Sequence, residues 1–305
     1  MQQGPSFEKA AERVRLAIEH RVPDRIPKGE LIIDPAVIRE ECPESKTVGF
    51  EEELEFVKRL GLDLVCISPV YPNGTGALPA PGETGWPHLD QWTGKTDLFT
   101  FAILDGLFGW GLRILGFKEL ILLPRRSASK LFVFAKEVEK LNRYLTGRLA
   151  GQGVDGIIFA DDIAYTRGLM TDPETFRTFF LPCLENQVEE AVRRGLVPFF
   201  HSDGRYEEII PDLLAIGIKG IHCIDPQSGM EIRRIKDRWG KELCLWGHLV
   251  PGDLGLLANR ADLGEWFESL DYLGSGGGLI LGTTSGLFPG VDIESLKQLY
   301  RYRLP

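Results

Sequence analysis

The chain has 305 residues, of which 43% are hydrophobic and 26% are charged, as is ordinary for a globular protein. Its net charge of −9 argues against a nucleic-acid partner, which would need a basic surface. No apolar run reaches the roughly 20 residues of a membrane span, and the N-terminus has no apolar signal core. We therefore expect a cytoplasmic protein that binds neither nucleic acid nor membrane.

The hydrophobic pattern predicts alternating helices and strands along the whole chain. In the first half, the predicted elements are a helix over 7–18, a strand at 29–35, a helix at Phe50–Leu60, a strand at 62–69, a strand within 98–106 and a helix over 130–149. The segment 71–97 is rich in Gly and Pro and is predicted to be a long loop, with a lid as one role for it.

The second half repeats the alternation more clearly. Its predicted elements are a strand at Gly156–Ala160, a long helix that ends near 194 and is kinked at Pro182, a strand from 197, a helix over 207–216, a strand at 219–224, a helix over 230–239, a strand at 243–246, a helix over 261–273, a strand at 277–282 and a helix from 292. About eight strands separated by helices fit repeated βαβ units.

Eight such units close into a barrel, so we predict an α/β protein with one domain over 1–305, a (β/α)8 TIM barrel with an N-terminal helical extension. An open doubly wound sheet is the alternative. That fold usually carries a Gly-rich phosphate loop after an early strand, whereas the GSGGG run at 274–278 precedes a strand.

Polar residues follow the predicted strands, where the carboxyl ends of barrel strands would meet. The stretch VPFFHSDG ends a buried strand with His201 and Asp203, which are two apart and therefore point to the same side. The other strand-end residues are Glu30, Asp34, Asp161, Asp162, Asp225, His248 and Thr283 to Ser285.

These side chains favour a metal site or a proton-transfer site, although each could also only cap a helix or form a hydrogen bond. Asp161 and Asp162 are adjacent and must point opposite ways, and we favour Asp162 as the one that faces the site. His222 lies inside a strand, where packing in the core is the favoured role.

Five segments carry a resemblance to a known family. They read ERVRLAIEHRVPDRIP, GVDGIIFADDIAY, HSDGRYEEIIPDLLAIGIKGIHCIDPQSGMEIRRIKDRWG, LCLWGHL and GGLILGTTSGLFPGV. With these segments, the chain resembles the uroporphyrinogen decarboxylase superfamily along nearly its whole length. The resemblance implies a (β/α)8 barrel with its active site at the C-terminal mouth.

The superfamily has two functional branches. Its porphyrin decarboxylases carry an Arg-rich motif resembling RQAGRY, which is missing from the corresponding stretch KGELIIDPAVIRE. Its cobalamin-dependent methyltransferases bind Zn²⁺ through a His-x-Cys pair and a later Cys. Here His201 matches that His, Asp203 stands in place of the first Cys, and the late position falls near Thr284 and Ser285. The carboxylate-containing set is closer to the O-demethylase type.

The resemblance therefore implies a methyltransferase that moves a methyl group from an O-, N- or S-methyl donor to a corrinoid protein, or from a methylcorrinoid to an acceptor. The expected partners are a small methylated substrate and a corrinoid protein, and a homodimer is a candidate assembly. Uroporphyrinogen decarboxylation and a non-catalytic barrel that binds a small ligand remain alternatives.

The expected residues follow from the same reasoning. The expected catalytic residues are Asp162, His201, Asp203 and His248. The expected substrate-binding residues are Glu30, Asp34, Asp225 and Thr284. Zn²⁺ is expected on His201 with help from Asp203, Glu30 or Asp162, and the alternative is a His–Asp hydrogen bond without metal.

Overall fold

The structure is a computed structural model that describes residues 9–41, 47–72, 76–259 and 263–301. Its strands are β1 (Leu64–Ile67), β2 (Phe99–Asp105), β3 (Gly156–Ala160), β4 (Ala164–Tyr165), β5 (Gly168–Leu169), β6 (Val197–His201), β7 (Gly220–His222), β8 (Cys244–Leu249) and β9 (Leu279–Thr283). Seven of them form one parallel sheet in the order β1-β2-β3-β6-β7-β8-β9, curled into a half-barrel, and β4 and β5 form a separate hairpin.

Helices separate all neighbouring strands of this sheet. They are α1 (Ala10–Ile18), α2 (Pro35–Glu41), α3 (Phe50–Leu60), α4 (Leu89–Lys95), α5 (Leu107–Leu115), α6 (Phe117–Arg126), α7 (Ala128–Gly151), α8 (Pro173–Thr175), α9 (Leu181–Arg193), α10 (Ile210–Ala215), α11 (Ile232–Trp239), α12 (Leu254–Ala258), α13 (Gly264–Gly274) and α14 (Ile293–Leu299). A π-helical turn at Phe176–Phe180 joins α8 to α9, and Pro182 lies just after it, so the predicted helix is interrupted there.

The interior of the half-barrel is apolar and mostly aromatic. Phe101, Phe199 and Trp246 are fully buried, and the ring of Phe101 lies 4.9 Å from that of Phe199 and 6.0 Å from that of Trp246. Helix α1 adds Val14 and Ile18 to this cluster, which explains why the chain opens with an amphipathic helix. A second, larger apolar layer fills the space between the sheet and the surrounding helices.

The predicted first strand at 29–35 is not a strand in the structure, and the barrel is not fully closed. The segment makes only two isolated bridges, from Lys28 to Leu281 and from Ile33 to Leu287. On its other side, the carbonyl oxygen of Lys28 accepts one bond from the N–H of Asp63, at 2.7 Å. Helix α2 begins at Pro35, so the chain leaves the sheet too early to complete an eighth strand. The prediction of eight strands is therefore wrong at this segment, and the observed fold is an α/β half-barrel with seven parallel strands.

Four stretches contain helices that the sequence pattern did not predict, and two of these helices are α2 and α12. The Gly- and Pro-rich segment 71–97 ends in α4, and the stretch 107–126, which had no prediction, forms α5 and α6. Residues 7, 8, 73–75, 261 and 262, which belong to predicted elements, lie outside the described ranges. Among the described helices, none is long and apolar enough to cross a lipid bilayer.

Candidate metal centre and the residues that orient it

Three of the predicted site residues meet at the carboxyl end of β6. His201 is the last residue of that strand, and its Nε2 lies 3.8 Å from Oδ1 of Asp162 and 4.0 Å from Oδ1 of Asp203. One donor atom from each residue lies within 4.8 Å of the other two. The backbone N–H of Asp203 donates to Oδ1 of Asp162 at 2.9 Å, which fixes the two carboxylates relative to each other. We call these three residues the His–Asp–Asp group.

The group is half buried and half open. His201 is 8% exposed, because alternate residues of β6 point into the barrel and its ring lies on the same side as that of Phe199. The side chains of Asp162 and Asp203, in contrast, are 53% and 60% exposed. A small molecule can therefore reach the carboxylates from solvent while the imidazole stays fixed.

His222 determines which nitrogen of His201 carries the proton. Its Nε2 lies 3.1 Å from the carbonyl oxygen of Thr283, which can only accept, so this nitrogen must be the one that donates. In a neutral ring, Nδ1 of His222 then has a lone pair, and it lies 2.9 Å from Nδ1 of His201. His201 must therefore donate from Nδ1, which leaves the lone pair on Nε2, facing the two carboxylates.

Burial keeps both imidazoles neutral. It lowers the pKa of His222 well below its usual value, and the neighbouring His201 lowers it further. Burial also lowers the pKa of His201, against the opposing effect of the carboxylates of Asp162 and Asp203. Burial raises the pKa of the Asp203 carboxyl. The surroundings thus favour neutral rings for His201 and His222, and the proton assignment depends on this neutral state.

The chemistry of this donor set fits a zinc ion. One imidazole nitrogen and two carboxylate oxygens are ordinary zinc ligands, and a catalytic zinc site has three protein ligands and one open position. Two ligands of a tetrahedral zinc ion lie about 3.4 Å apart. The separations of 3.8 and 4.0 Å to His201 are slightly longer, and exposed carboxylates can move by that much.

Asp161 points away from the group. Its carboxylate accepts from the backbone N–H groups of Phe108 and Gly109, at 3.1 and 2.7 Å, and so caps the N-terminus of α5. Burial raises the pKa of this carboxyl to about 7, while the two N–H groups oppose the change. The structure thus places Asp162, and not Asp161, beside His201.

Glu30, which the sequence analysis names as a further zinc ligand, is not part of the His–Asp–Asp group. It is 2% exposed, and its carboxylate accepts from the hydroxyl of Thr283 at 2.5 Å and from the hydroxyl of Tyr300. Burial raises its pKa to about 7, and these two hydrogen bonds oppose the change. The carbonyl oxygen of Thr283 accepts from His222, so Glu30, by binding Thr283, helps to fix the orientation of His222.

The remaining predicted residues lie outside the group. Asp34 accepts from the N–H of Ala36 at the start of α2, at 2.7 Å, and Asp225 caps a short 3₁₀ turn. Thr284 is buried and directly follows β9. The ring of His248 lies 5.3 Å from that of Trp266, and burial lowers the pKa of His248 to about 4. Helix capping is therefore the observed role of the two aspartates.

The sequence reasoning missed a charged cluster beside the group. Asp105 ends β2 and pairs with Ala160 of β3, which in turn pairs with His201. Nη2 of Arg113 donates to Oδ1 of Asp105 at 2.9 Å, and its guanidinium lies 5.4 Å from the ring centre of Tyr71. The signal was available, because FAILDG ends a buried strand in Asp-Gly much as VPFFHSDG does.

Comparisons with known proteins identify the family and the fold of the chain. Residues 128–303, more than half of the chain, match the sequence model described as Uroporphyrinogen decarboxylase (URO-D). A methyltransferase from Methanosarcina mazei has a similar structure, with 15% identity, a TM-score of 0.73, and coverage of 97% of this chain and 98% of that chain.

A D-allulose 3-epimerase from Methylomonas sp., solved in complex with D-allulose, is more distant, with 13% identity, a TM-score of 0.50, and coverage of 91% of this chain and 96% of that chain. A search of curated proteins gives no match. At these identities the solved structures show a shared fold, whereas the family follows from the sequence match. The chain belongs to the uroporphyrinogen decarboxylase family.

Proposed function

We propose that this protein is a methyltransferase that moves a methyl group from an O-, N- or S-methyl donor to a corrinoid carried by a partner protein. The observation that carries the proposal is the open His–Asp–Asp group, in which Nε2 of His201 keeps its lone pair. The structural likeness to a methyltransferase over nearly the whole chain supports it.

In this proposal His201, Asp162 and Asp203 hold a zinc ion. A methyl group on oxygen, nitrogen or sulfur is a poor electrophile, and a bound zinc ion would polarise the bond by acting as a Lewis acid on the heteroatom. His222 keeps the lone pair of His201 available, and the N–H of Asp203 holds Asp162 in place. The protein's own task is therefore to present three oriented ligands and one open position.

The methyl transfer needs no nucleophilic residue from this chain. The bond between the methyl carbon and its heteroatom breaks, and the heteroatom keeps the electron pair and then takes a proton from water. The methyl carbon bonds to the reduced corrinoid of the partner protein, which is the second substrate. This role agrees with the exposed carboxylates, because a partner must reach the site.

Porphyrin decarboxylation has less support from the residues. Its substrate carries eight carboxylates and needs cationic partners. The group described above instead presents two carboxylates, and the stretch 28–40 lacks the Arg-rich motif. We expect no conversion of uroporphyrinogen to coproporphyrinogen.

The test combines zinc content with methyl transfer. Protein expressed with added zinc is analysed for metal and then mixed with chemically reduced cobalamin and a panel of methyl ethers, methylamines and methyl thioethers. The spectrum of methylcobalamin reports transfer. We expect about one zinc per chain and transfer from one donor class, both lost in His201→Ala.

His88→Ala is the matched control. His88 is another partly buried histidine, which contacts Gln91 at 3.2 Å and lies outside the His–Asp–Asp group. It should keep both zinc and activity. Equal zinc in the two variants, or robust decarboxylation of uroporphyrinogen by the wild-type protein, would overturn the proposal.

A further inference from the structure

A second concave region lies between the loops that follow the site residues and helices α10 and α11. It is a cleft of about 710 Å³, and four of its nine lining residues are arginines. We call it the arginine cleft, and its lining residues are Arg167, Gly168, Arg205, Glu207, Glu208, Pro211, Arg234, Arg238 and Trp239. Four arginines against two glutamates make the cleft cationic, on a chain whose net charge is −9.

Two of the arginines are fixed by one buried carboxylate. Nε of Arg234 donates to Glu207 at 3.1 Å, and its Nη2 donates to the same carboxylate at 2.5 Å and to the carbonyl oxygen of Gly229 at 2.8 Å. Nη1 of Arg238 donates to Glu207 at 3.2 Å. Because one carboxylate serves two guanidinium groups, the hydrogen-bonded trio of Glu207, Arg234 and Arg238 carries one net positive charge.

The other two arginines have no such partner. Within the described part of the chain, no carboxylate lies within ion-pair distance of the guanidinium of Arg167 or Arg205, and both residues are exposed. Glu208 is the second acidic residue of the cleft, and it is exposed as well. The cleft therefore combines two oriented guanidinium groups with two that are free to close on a ligand.

The free arginines belong to the loops that carry the site carboxylates. Arg167 follows Asp162 in the β4–β5 hairpin, and Arg205 follows Asp203. The two loops are joined where the N–H of Arg205 donates to the carbonyl oxygen of Tyr165 at 2.9 Å. A ligand held between both arginines would brace the two loops against each other.

We propose that the arginine cleft binds a small molecule that carries phosphate groups. Guanidinium groups pair with phosphate oxygens through two parallel N–H bonds, which suits several arginines around one anion. A concave volume of about 710 Å³ lies within the usual range for small-molecule sites. The ligand belongs to a site separate from the His–Asp–Asp group, since the two share no lining residue.

The test is calorimetric titration of the full-length protein with pyrophosphate at low ionic strength, after dialysis against a chelator. We expect saturable binding of about one pyrophosphate per chain. The double variant Arg167→Gln/Arg205→Gln should bind at least about tenfold more weakly, because two charged hydrogen-bonding partners are lost. Both side chains are exposed, so the variant should fold normally, which circular dichroism checks.

Three controls decide the outcome. Arg21→Gln/Arg126→Gln removes two arginines that are 65% and 56% exposed and lie outside the cleft, and it should bind like the wild type. His201→Ala should also bind like the wild type, which excludes the His–Asp–Asp group. Vesicles of phosphatidylcholine with phosphatidic acid should not sediment the protein. The proposal is overturned by absent binding, by equal loss in the two arginine variants, or by vesicle binding without pyrophosphate binding.

Discussion

Replacing His222 tests whether the proton arrangement of the site sets its metal affinity. In His222→Leu, the Nδ1 of His201 faces an apolar side chain and loses its acceptor at 2.9 Å. The proton of His201 is then more stable on Nε2, where the carboxylates of Asp162 and Asp203 can accept it. A zinc ion must displace that proton before it binds, so the affinity should fall.

The expected size follows from the contacts that are lost. Removing the hydrogen-bonding partner of a metal-bound histidine typically costs about 10- to 100-fold in affinity. That range corresponds to about 1.4–2.7 kcal/mol of zinc-binding free energy. The same change leaves the carbonyl oxygen of Thr283 without its bond at 3.1 Å, so the free energy of unfolding should also fall, by about 1–3 kcal/mol.

The assay is competition for zinc with a chromophoric chelator, together with nitrogen NMR of the histidine rings to identify the protonated nitrogen. His222→Gln is the matched variant, because its amide can accept from His201 and donate to Thr283. It should recover much of the affinity. Unchanged zinc affinity in His222→Leu, with a folded protein and with loss of zinc in His201→Ala, would refute the reasoning.

Three further predictions use single substitutions. Asp161→Asn replaces one of two accepting oxygens with an amide NH2 group, so it should lower the free energy of unfolding by about 1–2 kcal/mol in urea titrations and leave zinc affinity unchanged. Asp162→Asn should weaken zinc binding and leave the free energy of unfolding nearly unchanged. Gly204→Ala places a Cβ 2.6 Å from backbone atoms of the β4–β5 hairpin, whereas Gly195→Ala, at a similar φ (+77° against +81°), places its Cβ in open space. Gly204→Ala should therefore destabilise the fold by about 1–3 kcal/mol more than Gly195→Ala, and equal effects would contradict this. Burial raises the pKa of Glu30 from 4.5 to about 7, so the folded state keeps a proton that the unfolded state releases, and the free energy of unfolding should fall as pH rises across that interval. Glu30→Gln should remove up to about 3 kcal/mol of this pH dependence. The measurement is a series of urea denaturation curves at different pH values, and an unchanged slope of the free energy of unfolding against pH would contradict the prediction.

The sequence predicts best those elements whose pattern is local. Helix α3 was predicted with its observed ends, because an amphipathic run stops at Gly61, which adopts the left-handed conformation with a φ of 65°. Strand β3 was also predicted with its observed bounds, since a short apolar run leads into two aspartates. The same reading placed Asp162 and His201 at strand ends, and these two residues do lie together.

What the sequence could not provide were contacts between distant segments. A histidine inside an apolar strand is usually a core residue, and only the carbonyl oxygen of Thr283, 61 residues away, gives His222 its role. Contacts of the same kind engage Glu30, because the hydroxyls of Thr283 and Tyr300 donate to its carboxylate.

The barrel is incompletely closed where the segment 28–33 meets the end of the sheet, and this has a consequence for how the chain folds during synthesis. The bridge from Lys28 to Leu281 and the bond from Thr283 to Glu30 each join positions 253 residues apart. In a growing chain, Glu30 therefore lacks its partners Thr283 and Tyr300 until β9 and the residues after it have left the ribosome. The acceptor that orients His222 is made at the same late moment. We expect nascent chains that stop before β9 to hold the early βα units without a competent zinc site.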